Sequence, residues 1–413
     1  MEVWRKNLTI LWGTQFLAMV GMNLVVPFLP FFIRQLGVED PTDLARWSGL
    51  VFSGPFILSF FATPLWGSLG DRYGRKAMVV RAIFGLALSQ IFIGFSQNVE
   101  QLFFFRMVQG AISGFIAAAL ALVSSTTPRQ HMGYALGFLQ TSSAGGMLLG
   151  PFFGGLLADL IGYREIFFIT AALCALGGFV VLWQVDETRA DGPAETRYRV
   201  MDNIRLVLAD RRLRLVSLLL VGGQISVLMV EPIFALFVES FRTETRFLST
   251  LTGGIFSISG LFMIISSPWW GRRNDRMGFR RNLAVALAAG GALYLLHVVV
   301  ADLFQLAFVR AALGFARGGV LPVLYALASL YAPAERRAGV MAIASSSTIL
   351  GNMIGPVIGG YVAGWFGITT TFVANGLMLL AMSVAAWKLV AEPPRHQAAP
   401  AEPHHEHDLP AGE

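Results

Sequence analysis

Twelve apolar runs, each long enough to cross a bilayer, punctuate this chain at roughly 8–33, 47–69, 79–97, 101–124, 133–160, 165–185, 215–239, 248–270, 282–300, 303–329, 338–361 and 367–389. A membrane span needs about 20 consecutive apolar residues, and a run of that length satisfies its own backbone in hydrocarbon only as a helix. Composition leaves no soluble alternative. Of the 413 residues 55% are apolar and 14% charged, whereas a water-soluble domain carries about 25% charged residues. The predicted fold class is an all-α membrane protein of twelve transmembrane helices. The first run carries Pro27 and Pro30 and lacks a small-residue cleavage site behind a short apolar core, so it is read as a retained helix and not a cleaved leader.

The chain also contains itself twice. PLWGSLGDRYGRK at 64–76 returns as PWWGRRNDRMGFR at 268–280, setting Pro64, Trp66, Gly67, Asp71, Arg72 and Gly74 over Pro268, Trp270, Gly271, Asp275, Arg276 and Gly278 at an offset of 204. That offset also carries QLFFFRMVQG at 101–110 onto QLAFVRAALG at 305–314, and one residue more carries GPFFGG at 150–155 onto GPVIGG at 355–360 and Gly162 onto Gly367. A long internal period in an apolar chain predicts two homologous halves, best attested among membrane transporters. The predicted organisation is two pseudo-symmetric six-helix bundles, 1–187 and 213–390, joined by a linker at 188–212 and followed by a disordered tail at 391–413. Charges with Gly192 and Pro193 mark the linker, and Val200, Ile204 and Leu208 at helical spacing predict a short amphipathic surface helix within it. The tail is Pro, Ala, Glu and His, too polar to order itself. Its His404, His405 and His407 could hold a metal only weakly, and no metal site is assigned.

With the N-terminus inside, 23 Lys and Arg fall on inner segments and five on outer loops, while Arg106, Arg310 and Arg317 lie within spans. The positive-inside rule then predicts that both termini are cytoplasmic. The net charge of +6 is spread over short loops on one membrane face, so it reports topology and not a nucleic-acid partner. Cys174 is the single cysteine, which excludes an intramolecular disulfide.

Charges inside spans are expensive and mark function by default. Arg106 and Arg310 each sit five residues past the start of an apolar run, within about 10 Å of the outer boundary, so snorkelling to the interface and a role in proton coupling, with Glu231 and Arg317, are both open. Arg317, seven residues deeper on the face of Arg310, is expected to meet a wet cavity. Glu231 is the one carboxylate well inside a span, eight residues before Glu239 and about 12 Å below the outer end of its helix. An acid at that depth can bind and release a proton; a static pair with Arg310 is the competing reading. Pro232 is expected to disturb helical geometry at Glu231. Gln15, Met19, Met22 and Asn23 in the first helix, Gln109 and Ser113 in the fourth, and Gln224 and Phe234 in the seventh are the expected cavity wall, amides among adaptable apolar groups that accept many amphipathic molecules.

Gly67, Leu69, Asp71, Arg72, Gly74, Arg75 and Lys76 resemble motif A of the major facilitator superfamily. Its reappearance around Asp275 and Arg276 favours a latch between the halves over a merely basic loop. Arg106-x-x-Gln109-Gly110 resembles the fourth-helix motif, with Ile112 and Gly114 departing from its small-residue ending. Gly146, Gly150, Pro151, Gly154 and Gly155 are similar to motif C of the drug:proton antiporters, and the whole chain resembles the bacterial multidrug-resistance G-type efflux pumps. The resemblance implies export in exchange for protons across the inner membrane of a bacterial cell. SSTTP at 124–128 lacks the acid that pairs with a motif A arginine in some relatives. Read from spacing alone, the glycines at four-residue intervals give a flat helix face for close packing, expected here against the matching Gly351, Gly355, Pro356 and Gly359 of the eleventh helix. Ordinary packing without mechanism remains open for that motif.

No phosphate-binding loop, metal-ligand spacing or nucleophile elbow occurs, and His131 and His297 have solvated or capping roles as the default. The reading is a transporter and not an enzyme: a monomeric, proton-coupled exporter of small amphipathic compounds, needing the bilayer and protons but no cofactor. A lipid flippase or sugar carrier of the same fold, and a non-transporting scaffold or sensor, are the alternatives.

Overall fold

In the computed structural model the chain is described over residues 2–112, 114–187, 200–241 and 247–392. Ser113, the histidine tail, and the side-chain positions of Gly67, Asp71 and Asp275 lie outside that description. Among the described residues, twelve helical segments are long and apolar enough to span a membrane: α1 (Val3–Gln35), α2 (Pro41–Thr63), α3 (Arg75–Gly94), α4 (Val99–Thr126), α5 (Met132–Ile161), α6 (Tyr163–Gln184), α7 (Arg211–Glu239), α8 (Leu248–Asn274), α9 (Phe279–Val299), α10 (Leu303–Tyr331), α11 (Ala334–Phe366) and α12 (Ile368–Leu389). Helix continues past the second and eighth spans, to Tyr73 and Met277.

The duplication is visible in local geometry. Gly74 and Gly278 turn the chain between long helices at φ 99° and 88°, and Gly162 and Gly367 do so at φ 100° and 87°, conformations that essentially only glycine adopts. Trp66 donates from Nε1 to the Ala111 carbonyl at 2.7 Å, and its mate Trp270 donates to the Phe315 carbonyl at 2.8 Å. Both α1 and α7 are interrupted by a 3-10 turn around a proline, at Val26–Phe28 and Glu231–Ile233. One packed core, with Leu11, Ile83 and Leu122, lies wholly in the first half, and another wholly in the second, while a third joins the first half to Leu228, Ala235 and Leu236 of α7. Phe28, Phe32 and Phe167 are buried in the shared cluster, and Phe234, Tyr294 and Phe372 in that of the second half.

The halves meet through α2 against α11 and α5 against α8. Backbones touch there: a Cβ on Gly49 would run into the Pro356 carbonyl, and one on Gly253 into the Pro151 carbonyl. On the face opposite the termini, Arg34 of α1 makes a bidentate pair with Glu239 of α7, both bonds 2.8 Å. Asp159, near the end of α5, accepts from the Thr250 N–H and hydroxyl at 2.7 Å each and from the Ser249 N–H at 3.3 Å. Tyr163 and Ser249 share a 2.9 Å hydroxyl bond beside it. An acid at a helix start satisfies donors the helix itself cannot, so the halves are sealed at this face by charge-assisted bonds. The linker helix, Val200–Ala209, buries Asn203 and Val207 on the base of the second half and turns Met201, Arg205 and Leu208 outward.

Candidate functional site

Between the halves lies a cavity of about 650 Å³, predominantly apolar, lined by α1 to α5 on one side and α7 to α12 on the other. Three charged residues reach it: Arg106, Glu231 and Arg317. The Pro232 turn aims Glu231 inward. Glu231 itself keeps right-handed helical angles, φ −57° and ψ −43°; the proline is absorbed by the 3-10 turn that starts there, correcting the expectation of a non-helical Glu231. Arg317 donates from Nη2 to Glu231 Oε1 at 3.4 Å, and both side chains are largely withdrawn from solvent. A single long contact is weaker than a bidentate fork, so the pair is poised to separate.

Arg310 is not Glu231's hydrogen-bonded counter-ion, contrary to the static-pair reading. It is 2% exposed, and its guanidinium lies 4.1 Å from the Phe234 ring centroid and 5.4 Å from that of Phe256. Phe234 is fully buried beneath it and does not line the cavity. Sequence spacing placed Phe234 one turn from Glu231, but the 3-10 turn rotates that position into the core. Gln15 is corrected as well. It is fully buried and donates to Ser143 at 2.8 Å and to the Leu139 carbonyl at 3.4 Å, tying α1 to α5. Met19, Met22, Asn23, Gln109 and Gln224 do line the cavity. Gln224 donates to Asn352 at 2.8 Å, a cavity residue that no sequence signal marked.

Arg106 reaches the cavity from α4 and is 8% exposed. Its Nη1 donates to Gln109 Oε1 at 3.1 Å and its Nε to the Val51 carbonyl at 3.4 Å. Snorkelling to the interface is thereby replaced by an inward-facing guanidinium.

Motif C explains the cavity's first wall. A Cβ on Gly146 would overlap Met19, one on Gly150 would lie 2.5 Å from the Asn23 Cβ, and one on Gly154 would strike the Leu24 carbonyl, so α5 carries α1 in backbone contact. Gly155 faces Ser249 of α8. The expected partner was α11, but α5 packs on α1 and α8. The equivalent stripe of α11, Gly351, Gly355 and Gly359, carries α7 instead. Each stripe faces the broken helix of its own half, because only a surface without side chains lets a proline-interrupted helix approach so closely.

At motif A, Glu187 accepts from the Arg75 N–H at 2.6 Å and the Lys76 N–H at 3.1 Å, while Arg75 donates to the Ala121 carbonyl at 2.9 Å. Arg72 lies 5.4 Å from the Tyr73 ring centroid, and Arg276 is exposed. Glu392 repeats the cap on Phe279 and Arg280 at 2.6 and 3.1 Å. These contacts clamp each half to itself. Neither glutamate was singled out in the sequence, although Val185 to Glu187 and Val390 to Glu392 align at the offset of 205 shared by the GPxxGG segments.

Two repeated helical bundles around a central charged cavity define a membrane transporter. The Major Facilitator Superfamily profile matches residues 11–258 and again 223–411. Multidrug resistance protein MdtG of Salmonella typhimurium is 34% identical over 389 residues, covering 93% of this chain and 95% of that protein, and the Salmonella arizonae MdtG matches equally. Among solved structures, a bacterial homolog of the human lysosomal transporter Spinster, inward-facing and occupied, aligns with a TM-score of 0.80 at 14% identity, over 94% of this chain and 97% of that one. Nucleoside transporter NupG aligns at 0.76 and 14%, over 92% and 98%. The chain belongs to the Major Facilitator Superfamily and is a multi-pass membrane transporter.

Proposed function

We propose that this protein is a monomeric, proton-coupled exporter of drug-like amphipathic compounds in the bacterial inner membrane, with both termini cytoplasmic. The observation that carries the reading is the acid–arginine pair of Glu231 and Arg317 on the wall of a largely apolar cavity closed at the face opposite the termini. The 34% identity to proteins named for multidrug resistance supports it, as does the excess of Lys and Arg in the loops at the terminus face. In this reading the cavity faces the cytoplasm and takes substrate there. Rocking of the halves opens the sealed face, a proton reaches Glu231 and loosens its hold on Arg317, and return of the halves releases the proton inside. Asp71, Arg72 and Arg75, with Asp275 and Arg276, would latch the halves when the cytoplasmic face closes, using the two glutamate-capped helix starts as rigid anvils.

The test is Glu231→Gln in proteoliposomes with an imposed pH gradient. Proton-driven substrate movement is expected to fall to background while insertion and substrate binding persist. Undiminished movement in the variant refutes the role of Glu231.

A further inference from the structure

Facing the Glu231–Arg317 pair from the other half, α4 presents positive charge and donors without matching acceptors. Arg106 spends two donors on neutral groups, Gln109 Oε1 and the Val51 carbonyl. Among the described residues no carboxylate pairs with it. That contact also consumes the acceptor end of the Gln109 amide, and the buried Gln109 Nε2 has no acceptor at all. Buried donors left unmade are costly, and a lone guanidinium in a membrane interior costs several kcal/mol unless something compensates it. Glu231 does not serve, since its hydrogen bond is to Arg317 and no ion pair joins it to Arg106. With Arg106, Arg317 and Glu231 as the charged lining, the cavity wall carries one net positive charge, and Arg310 adds another just behind Phe234.

We propose that Arg106 and Gln109 form an oxyanion-docking subsite, and that the transported molecules are amphipathic acids. This rests on the transporter reading and names its substrate class. A carboxylate, sulfonate or phosphonate accepts from the free donors of the planar Arg106 guanidinium, a fork matched to two oxygens of one acid group, and Gln109 Nε2, buried beside it without an acceptor, is the further donor. The apolar body lies against Met22, Phe52, Phe56 and Phe115, which line the same cavity. A cation of equal shape would face one committed carboxylate and two lining arginines, so it is disfavoured.

The experiment compares two fluorescent probes on the same aryl skeleton, 1-anilinonaphthalene-8-sulfonate and neutral N-phenyl-1-naphthylamine. Both are titrated onto the full chain in phosphatidylcholine nanodiscs, with empty nanodiscs subtracted. The wild type is expected to bind the sulfonate about tenfold more tightly, the scale of one charge-assisted contact. Arg106→Gln should abolish that preference and leave the neutral probe unchanged, and Arg106→Lys should retain part of it. Equal affinities in the wild type overturn the proposal without reference to any variant. Equal loss of both probes in Arg106→Gln, with the preference for the sulfonate kept, assigns Arg106 a structural role and overturns the subsite. Sulfonate binding without proton-driven movement in proteoliposomes upholds the subsite and refutes the transport reading.

Discussion

Asp159 holds the sealed face by accepting three bonds from the first turn of α8, two of them at 2.7 Å. Those N–H groups begin a helix and have no intrahelical acceptor, so removing the carboxylate leaves them to water or to nothing. Loss of such a cap costs about 0.5–2 kcal/mol. The nearby Arg34–Glu239 fork is bidentate but has side chains 40% and 37% exposed, and solvent screening limits it to about 1 kcal/mol or less. Together they favour the described state by about 0.5–3 kcal/mol, and both are made across the halves, so both are lost when this face opens. Asp159→Ala with Arg34→Ala should therefore raise the ratio of the opened to the described state roughly 2- to 140-fold, at tenfold per about 1.4 kcal/mol. The assay is pulsed electron paramagnetic resonance between labels at the exposed positions Glu39 and Thr370, one in each half, after Cys174→Ser removes the single buried cysteine. The double variant should gain a long-distance population that Asp159→Asn, which keeps one acceptor, shows only weakly. Distance distributions identical in wild type and double variant would refute the assignment of these bonds as the seal.

Gly154→Ala and Gly359→Ala push a methyl into the Leu24 and Met229 carbonyls, whereas Gly260→Ala meets nothing within 4 Å; the first two should lose about 1–3 kcal/mol, read as a lowered Tm in detergent, and the third should not. Gln15→Ala should lower Tm without altering substrate affinity, and Gln224→Ala should weaken substrate affinity with little change in Tm, because the first amide ties α1 to α5 and the second faces the cavity. Glu187→Gln and Glu392→Gln should each speed amide hydrogen exchange at the starts of α3 and α9 by about fivefold, the effect of losing roughly 1 kcal/mol of charged capping; unchanged exchange would show the caps to be idle.

What the sequence discloses most readily is what lipid and backbone geometry forbid. Glycines at 74, 278, 162 and 367 could be paired by offset because their positive φ leaves little room for another residue. Glu231 and Arg317 stood out because an ionisable group within a span is costly enough to need a reason. Rotation of each helix was far less legible. Every face of these spans is apolar, toward lipid as toward protein, so Phe234 looked like a cavity residue until the 3-10 turn carried it under Arg310. Gln15 shares a helix with Asn23, yet the notch cut by Gly146 and Gly150 draws it onto α5. Asn352 and the two capping glutamates carry no local pattern at all, since their partners lie over a hundred residues away.

Comparing the copies separates frame from chemistry. The tryptophan bonds, glycine turns, proline breaks and glutamate caps recur in both halves, because each is a backbone constraint that either bundle must meet to fold. Embedded charge is not shared in that way. Arg106 and Arg310 occupy equivalent positions, but the first opens onto the cavity and the second is sealed among rings, while the acid and its partner Arg317 occur in the second half only. A symmetric pivot can therefore move two chemically different walls past one another, and a solute bound between them senses donor-rich α4 on one side and a separable ion pair on the other. Swapping those roles tests the division directly: a carboxylate introduced by Gln109→Glu should neutralise Arg106 within its own half and shift cavity preference toward neutral or cationic probes, leaving the glutamate-capped frame and its Tm within a few degrees of the original.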